Sequence, residues 1–231
     1  MARRAGSRHL TTAVRWPVGL LATWWAYLWR ITPLHRDEVD GEPERDAPPP
    51  WPPGADLDGV QEPRDGAGAY MRRRYRVEIE GARLGAAELI AVIREDPNRV
   101  VPSGLARFHK EGAGGPLSAG DEYTVRMPGP WDGPVRVVEA SSHGFRLATL
   151  EGHLEAGQIA WRAEDRDGAV RFEVESWSRP GDRFSAFAHH HLRAAKEVQL
   201  HMWTSVLERV VRLAGGRMRH GIEIRTYVVA G

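Results

Sequence analysis

The chain has 231 residues, which is enough for one substantial domain with extensions or for two small domains. Its 32 Lys and Arg residues nearly balance 31 Asp and Glu residues, and a net charge of +1 does not favour binding to nucleic acid. The absence of cysteine excludes disulfides, thiolate nucleophiles and zinc sites with cysteine ligands, and it is compatible with a cytoplasmic protein.

The first 34 residues are basic and rich in tryptophan. Residues 16–29 are uncharged, and as a helix they would rise about 21 Å, against a hydrocarbon core of about 30 Å. Three interpretations remain open: a helix lying in the membrane interface, a helix packed on the domain or a partner chain, and a spanning helix, which the length disfavours. The interfacial interpretation places the protein peripherally at the inner membrane face, through Trp16, Trp24, Trp25 and Trp29.

Residues 35–69 are acidic and rich in proline, with a proline cluster around Trp51. Because proline lacks a backbone donor, this segment cannot build a helix or a central strand. We predict a semi-extended linker. The alternative is a polyproline ligand for a partner.

Residues 70–215 predict one α+β domain of the helix-grip type, a curved antiparallel sheet wrapped around a long C-terminal helix. Alternation of Tyr75, Val77 and Ile79 with charged residues indicates a half-buried strand. A helix is predicted at 84–96, a long helix at 184–213, and strands at 105–110, 122–127, 134–141, 145–152, 158–165 and 169–178. Asp167 and Gly168 indicate a hairpin turn, and the tail at 216–231 is either a short strand or loose.

The apolar positions of the long helix share one face with Gln199, Met202 and Trp203. A buried amide needs a partner, so Gln199 requires a strand group, a water or the polar end of a ligand. Inward-facing strand residues, among them Tyr123, Trp161, Phe172 and Ser176, suit a pocket for an apolar ligand and suit a filled core equally well. The opposite face of the helix, with His190, Glu197, His201 and Glu208, is predicted to meet water.

Few residues suggest catalysis or metal binding. His153 lies in a loop near Glu151 and Glu155 and is a weak candidate for an acid or base. His189, His190 and His191 point 100° apart on a helix and cannot converge on one ion. We therefore expect no metal and no cofactor, and we expect Asp132 and Asp182 to fix turns and the run 72–74 to be a solvated strand edge.

Four segments resemble uncharacterised protein family 0548, a group of unknown function in bacteria and plants. They are the M-P-G-P-W run at 127–131, the V-R-V-V-E run at 135–139, the T-L-x-G-H-x-E-x-G run at 149–157 and the S-R-P-G-D-R run at 178–183. The predicted order of elements is also similar to the START and birch-pollen-allergen superfamily, whose members bind lipids, steroids or polyketides and sometimes act as cyclases. The resemblance implies that any family site here uses Thr149, Gly152, His153, Glu155, Gly157, Ser178, Arg179 and Asp182.

We expect a domain that holds a hydrophobic small molecule of lipid, polyketide or isoprenoid type between the sheet and the C-terminal helix. The predicted lining is Tyr123, Thr149, His153, Trp161, Phe172, Ser176, Gln199, Met202 and Trp203. Two alternatives stay open. One is a cyclase or hydratase that uses His153, and the other is a protein-interaction module with a filled core.

Overall fold

A computed structural model describes residues 32–127, 132–181 and 199–229. Within these residues, ten strands form one sheet and two α-helices pack against it. The strands are β1 (Leu34–Asp40), β2 (Tyr70–Glu80), β3 (Arg107–Lys110), β4 (Glu122–Arg126), β5 (Asp132–Ala140), β6 (Gly144–Thr149), β7 (Glu155–Arg166), β8 (Ala169–Pro180), β9 (Arg217–Met218) and β10 (Ile222–Val229). The helices are α1 (Ala86–Glu95) and, in the described part of the chain, α2 (residues 199–214).

The sheet is open, curved and almost entirely antiparallel. Its strand order is β1-β10-β2-β8-β7-β6-β5-β4-β3, and β9 pairs with β2 beside this path. Strands β1 and β10 form the one parallel pair among the described strands. The hairpin between β7 and β8 turns at Asp167 and Gly168, whose φ angles of 50° and 74° are both positive, as a type I′ turn requires.

The core lies between one face of the sheet and the two helices. Trp161 is fully buried at its centre, where it stacks on Phe145 at 5.3 Å and meets Phe172 and Trp203 edge-on at 6.1 Å and 5.7 Å. Aromatic pairs at such distances add stability beyond the area that they bury. The predicted mixture of a sheet with a C-terminal helix packed on it is confirmed, and we call the face that carries the core the inner face.

The buried face of helix α2 differs from the predicted buried face by a rotation of about one residue. Leu200, Trp203 and Leu207 are buried against the sheet, whereas Met202 is only partly buried. His201, predicted on the water side, is 9% exposed. The apolar positions of an amphipathic helix define a broad stripe, so that they fix its buried face only to within about one position. His190 and Glu197 lie outside the described residues.

The sheet extends beyond residues 70–215 at both ends. Ile222 and Ile224 of β10 are buried in the core, so the tail forms a strand, which was one of the two predicted alternatives. Strand β1 is exposed along most of its length and pairs only with β10. The sequence of β1 does not alternate between apolar and polar residues, so no strand was predicted there.

Residues 41–69, which we call the strap, cross the outer face of the sheet and differ from the predicted spacer. Arg146 donates to the carbonyl of Pro50 at 3.0 Å, and Gln158 donates to that of Pro49 at 3.1 Å. Farther along, Arg136 donates to the Asp58 carbonyl at 2.7 Å. Extended proline-rich backbone has no internal hydrogen bonds, so its carbonyls are free to accept from side chains of the sheet.

An ion cluster fixes the start of the strap. The buried carboxylate of Asp46 lies 2.9 Å from Arg72, which also lies 2.7 Å from Glu175. Tyr70 donates to the Asp46 carbonyl at 2.8 Å. Glu175 is 3% exposed, and Arg162 also pairs with its carboxylate. Buried charges are tolerated when they are paired and hydrogen-bonded, as they are here.

No helix of the described residues is long and apolar enough to cross a membrane. The tryptophan-rich residues 16–29 lie outside the described residues, so the interfacial interpretation stays a prediction.

We predict that Asp46→Asn lowers the free energy of unfolding by about 1–3 kcal/mol, because it removes a charged acceptor from buried hydrogen bonds. Urea denaturation measures the change. Asp37→Asn is the matched control, since Asp37 is largely exposed and its nearest contact, Arg225, is 3.8 Å away. Equal losses in the two variants would contradict the role assigned to Asp46.

The same carboxylate predicts a pH dependence. Burial raises the pKa of Asp46, but the Glu42 amide and Arg72 together lower it by more, so the net pKa lies below its ordinary value. The stability that this group contributes is complete above the unfolded-state pKa of about 3.9 and is lost as the pH falls through the lower folded-state pKa. Unfolding curves between pH 6 and pH 2 should therefore converge for the wild type and Asp46→Asn at the acid end.

Candidate functional site

The inner face of the sheet changes from apolar to polar towards one end. One row across the strands consists of Phe145, Trp161, Val174 and Tyr75, and it belongs to the core. The next row contains Arg73 opposite Ser176, and their exposed fractions are 8% and 5%. A buried arginine and a buried hydroxyl on neighbouring strands mark this end of the face as the candidate site.

Gln199 connects Arg73 to Glu155 across the site. The amide oxygen of Gln199 accepts from the Arg73 guanidinium, and its nitrogen donates to the Glu155 carboxylate at 3.1 Å. Arg73 itself is 3.9 Å from Glu155. Gln199 is only partly buried, and the partner predicted for its amide is a pair of strand side chains.

A groove of about 240 Å³ opens beside this bridge, between the sheet edge and the described start of α2. We call it the Arg73 groove. Burial raises the pKa of Tyr75 to about 12, against a smaller lowering by Arg73, so its hydroxyl stays protonated and can donate a hydrogen bond. Within the described residues, the polar side chains that line the groove include Arg36, Glu38, Arg73, Tyr75, Gln199 and Thr226.

Several buried donors near the groove have no hydrogen-bond partner in the described part of the chain. They are the Ser176 hydroxyl and the indole nitrogens of Trp161 and Trp203. Tyr75 packs on Trp203 with a ring separation of 6.3 Å, which connects the groove to this part of the core. An unpartnered buried polar group costs about 1–3 kcal/mol, and a bound water or ligand is the usual explanation.

The predicted lining residues separate into three groups. Ser176 and Gln199 lie at the polar end of the inner face, as described above. Tyr123, Trp161, Phe172 and Trp203 belong to the packed core, and Met202 packs against it. The remaining two, Thr149 and His153, have structural hydrogen bonds that account for their positions.

The T-L-x-G-H-x-E-x-G run is explained largely by backbone geometry. Thr149 Oγ1 accepts from the Gly157 amide at 2.9 Å, and a Cβ on Gly157 would lie 2.0 Å from the Trp177 carbonyl. Gly152 has a φ of 95°, which favours glycine in the turn. Of these motif residues, Glu155 is the one whose side chain reaches the Arg73 groove, through Gln199.

His153 stabilises the turn that leads into β7. Its Nδ1 lies 2.9 Å from the Glu155 amide, from which it can accept, and 3.0 Å from the Glu155 carbonyl, to which it can donate in the other tautomer. Its Nε2 edge packs over Gly133. Burial lowers the pKa of His153 against the opposing effect of Glu155, so the neutral ring is favoured. His153 does not line the Arg73 groove.

The other candidate residues contribute little chemistry. Ser178 is buried near the end of β8, and its backbone is in register with Met71 of β2. The backbone of Arg179 is in register with Ala156 of β7. Asp132 is the first residue of β5. Asp182, residues 128–131 and the three consecutive histidines lie outside the described residues. Within the described ranges, no group of three His, Asp or Glu side chains is arranged to hold a metal ion.

Sequence analysis missed Arg73, which was treated as part of a solvated edge at 72–74. The signal was present, because the alternation that turns Tyr75, Val77 and Ile79 inward also turns Arg73 inward. Arg72 and Arg74 face outward on either side of it.

A family of known sequences covers part of this domain. The family described as a domain of unknown function, DUF1990, matches residues 99–209, slightly less than half of the chain. None of the curated proteins matches the chain.

Solved structures of other proteins are similar to the chain at low identity. A hypothetical protein, jhp0584 from Helicobacter pylori, is 16% identical, with a TM-score of 0.46 over 61% of this chain and 86% of that one. Norcoclaurine synthase from Thalictrum flavum, solved with dopamine and hydroxybenzaldehyde, is 11% identical, with a TM-score of 0.42 over 64% of this chain and 92% of that one. Protein Ms6760 from Mycobacterium smegmatis is 14% identical, with a TM-score of 0.41 over 70% and 94% of the two chains.

We predict that His153 is neutral at pH 7, because burial lowers its pKa, and that Nδ1 accepts from the Glu155 amide, the shorter of its two contacts, so that the proton is on Nε2. Long-range ¹H–¹⁵N NMR spectra distinguish the two tautomers. His153→Asn should retain most of the stability, since its side-chain oxygen can accept the same bond, whereas His153→Ala should lose about 1–3 kcal/mol. A ring protonated on both nitrogens at pH 7 would contradict this assignment.

Proposed function

We propose that the chain is a small-molecule-binding domain of the helix-grip type, and that it belongs to family 0548. Its ligand has an apolar body of lipid, polyketide or isoprenoid type and binds at the Arg73 groove. The observation that carries the proposal is the groove itself, which lies where Gln199 of α2 meets the polar end of the inner face.

The polar lining of the groove supports ligand binding rather than simple core packing. Its 240 Å³ is somewhat below the range of about 300–1,000 Å³ typical of ligand pockets. It therefore suits a small ligand or the polar end of a longer one. Met71, Leu200 and Ile224 supply apolar contact in a lining that is otherwise polar and charged, which suits the polar end of a ligand.

The two other functions have less support. An enzyme that uses His153 as acid or base would need the ring at the groove, but Nδ1 is bonded within its turn and the ring packs on Gly133. A module with a filled core agrees with the packing around Trp161, but it leaves the groove and its buried polar end without a role.

Titration calorimetry with a neutral panel of a monoacylglycerol, farnesol and an anthraquinone tests the proposal on the full chain. We expect at least one to bind, and Thr226→Trp to weaken that binding by about tenfold or more, because the indole fills the groove.

Arg225→Trp is the matched control, since Arg225 is the adjacent residue of β10 and strand alternation turns it away from the groove, whose lining includes Ile224 and Thr226 but not Arg225. Thermal unfolding verifies that both variants fold. Absence of binding by the whole panel, or equal weakening in the two variants, would overturn the proposal.

A further inference from the structure

Arg73 is paired differently from the arginines of the outer face. Arg72, Arg76 and Arg146 each place a guanidinium nitrogen within 2.9 Å of a carboxylate oxygen. Arg73 is more buried than Arg72 or Arg76, yet its nearest carboxylate among the described residues, that of Glu155, is 3.9 Å away. Buried charges are normally paired directly and hydrogen-bonded, so Arg73 has unused capacity for an anion.

The direct contacts of Arg73 are with neutral groups. One guanidinium nitrogen donates to the Gln199 amide oxygen and another to the Met71 sulfur, which is a weak acceptor. A guanidinium has five N–H donors, and two parallel donors match the two oxygens of a carboxylate. Gln199 thus holds Glu155 at a distance and leaves Arg73 available to a second carboxylate.

Two residues with hydroxyl groups lie close to Arg73 in the sheet, Tyr75 within the groove lining and Ser176 outside it. Ser176 lies directly opposite Arg73 in the ladder between β2 and β8, and side chains so paired are about 4.5–5.5 Å apart at Cβ. Its hydroxyl is buried and has no partner among the described residues. Tyr75 is two residues along the same face of β2 and lines the groove with Arg73.

We propose that the Arg73 groove selects ligands with a carboxylate on an apolar body, and that Arg73 and Ser176 bind that carboxylate. This inference rests on the proposed function and specifies the chemistry of the same site. The carboxylate replaces Gln199 as the partner of Arg73, and the apolar body lies against Leu200 and Ile224.

Three probes with the same alkyl chain and different head groups test this selection. Their binding to the full-length protein is measured by calorimetry. They are octanoate, 1-octanol and octylamine at pH 7. We expect octanoate to bind at least tenfold more tightly than 1-octanol, and octylamine to bind most weakly. Arg73→Gln should abolish the preference, and Ser176→Ala should reduce it several-fold without removing a charge.

Arg74→Gln is the control, because Arg74 is the next residue of β2 and faces the outer side near Glu173. It should leave the preference unchanged. If Arg73→Gln fails to fold, the comparison of probes in the wild type and Ser176→Ala still decides the question.

Equal binding of octanoate and 1-octanol would overturn the carboxylate inference and leave the proposed function standing. Tighter binding of octylamine than of octanoate would also overturn the carboxylate inference and leave the proposed function standing. Failure of all three probes, together with failure of the neutral panel, would overturn both.

Discussion

The arrangement of charges in this protein depends on strand β2, because successive side chains of a strand point to opposite faces of the sheet. Neighbouring arginines of β2 therefore lie in two different environments. It pairs with β8 on one side and with β10 on the other, so neither of its faces can be changed by a slip in register without moving the core. Arg72 therefore meets the strap on the outer face, while Arg73 meets α2 on the inner face. The alternation of the strand thus gives the neighbouring side chains of Arg72 and Arg73 different roles, although they are chemically identical.

The outer face shows how such charges are stabilised when they are buried for structural reasons. Arg72 and Glu175 are paired directly, and Asp46 from the strap completes the cluster. Truncating one member of a buried pair leaves an uncompensated charge, so the strap and the strands beneath it depend on one another. The carbonyls of Pro49 and Pro50 extend this dependence, because they accept hydrogen bonds from Arg146 and from the amide nitrogen of buried Gln158.

Sequence analysis succeeded where the structure is decided locally. Alternation located β2 and β8, and the Asp167–Gly168 pair located the turn, since each depends on neighbouring residues alone. The path of the strap was not predictable, because its carbonyls are held by arginines some 80 to 100 positions away. The site was predicted in part: Gln199 and Ser176 were named from periodicity, but pairing Arg73 with either required the register between strands and helix.

The site lies where packing and polarity compete. The aromatic row through Trp161 and Tyr75 fills the space between sheet and helix, and one residue pair farther along, Arg73 and Ser176 interrupt it. Replacing this pair with apolar residues would extend the core at little cost, since a buried charge contributes little to stability by itself. A buried guanidinium bound to an amide and a thioether, with its carboxylate held 3.9 Å away, is therefore poorly explained by folding alone. Recognition of an anionic group explains both its burial and its incomplete pairing.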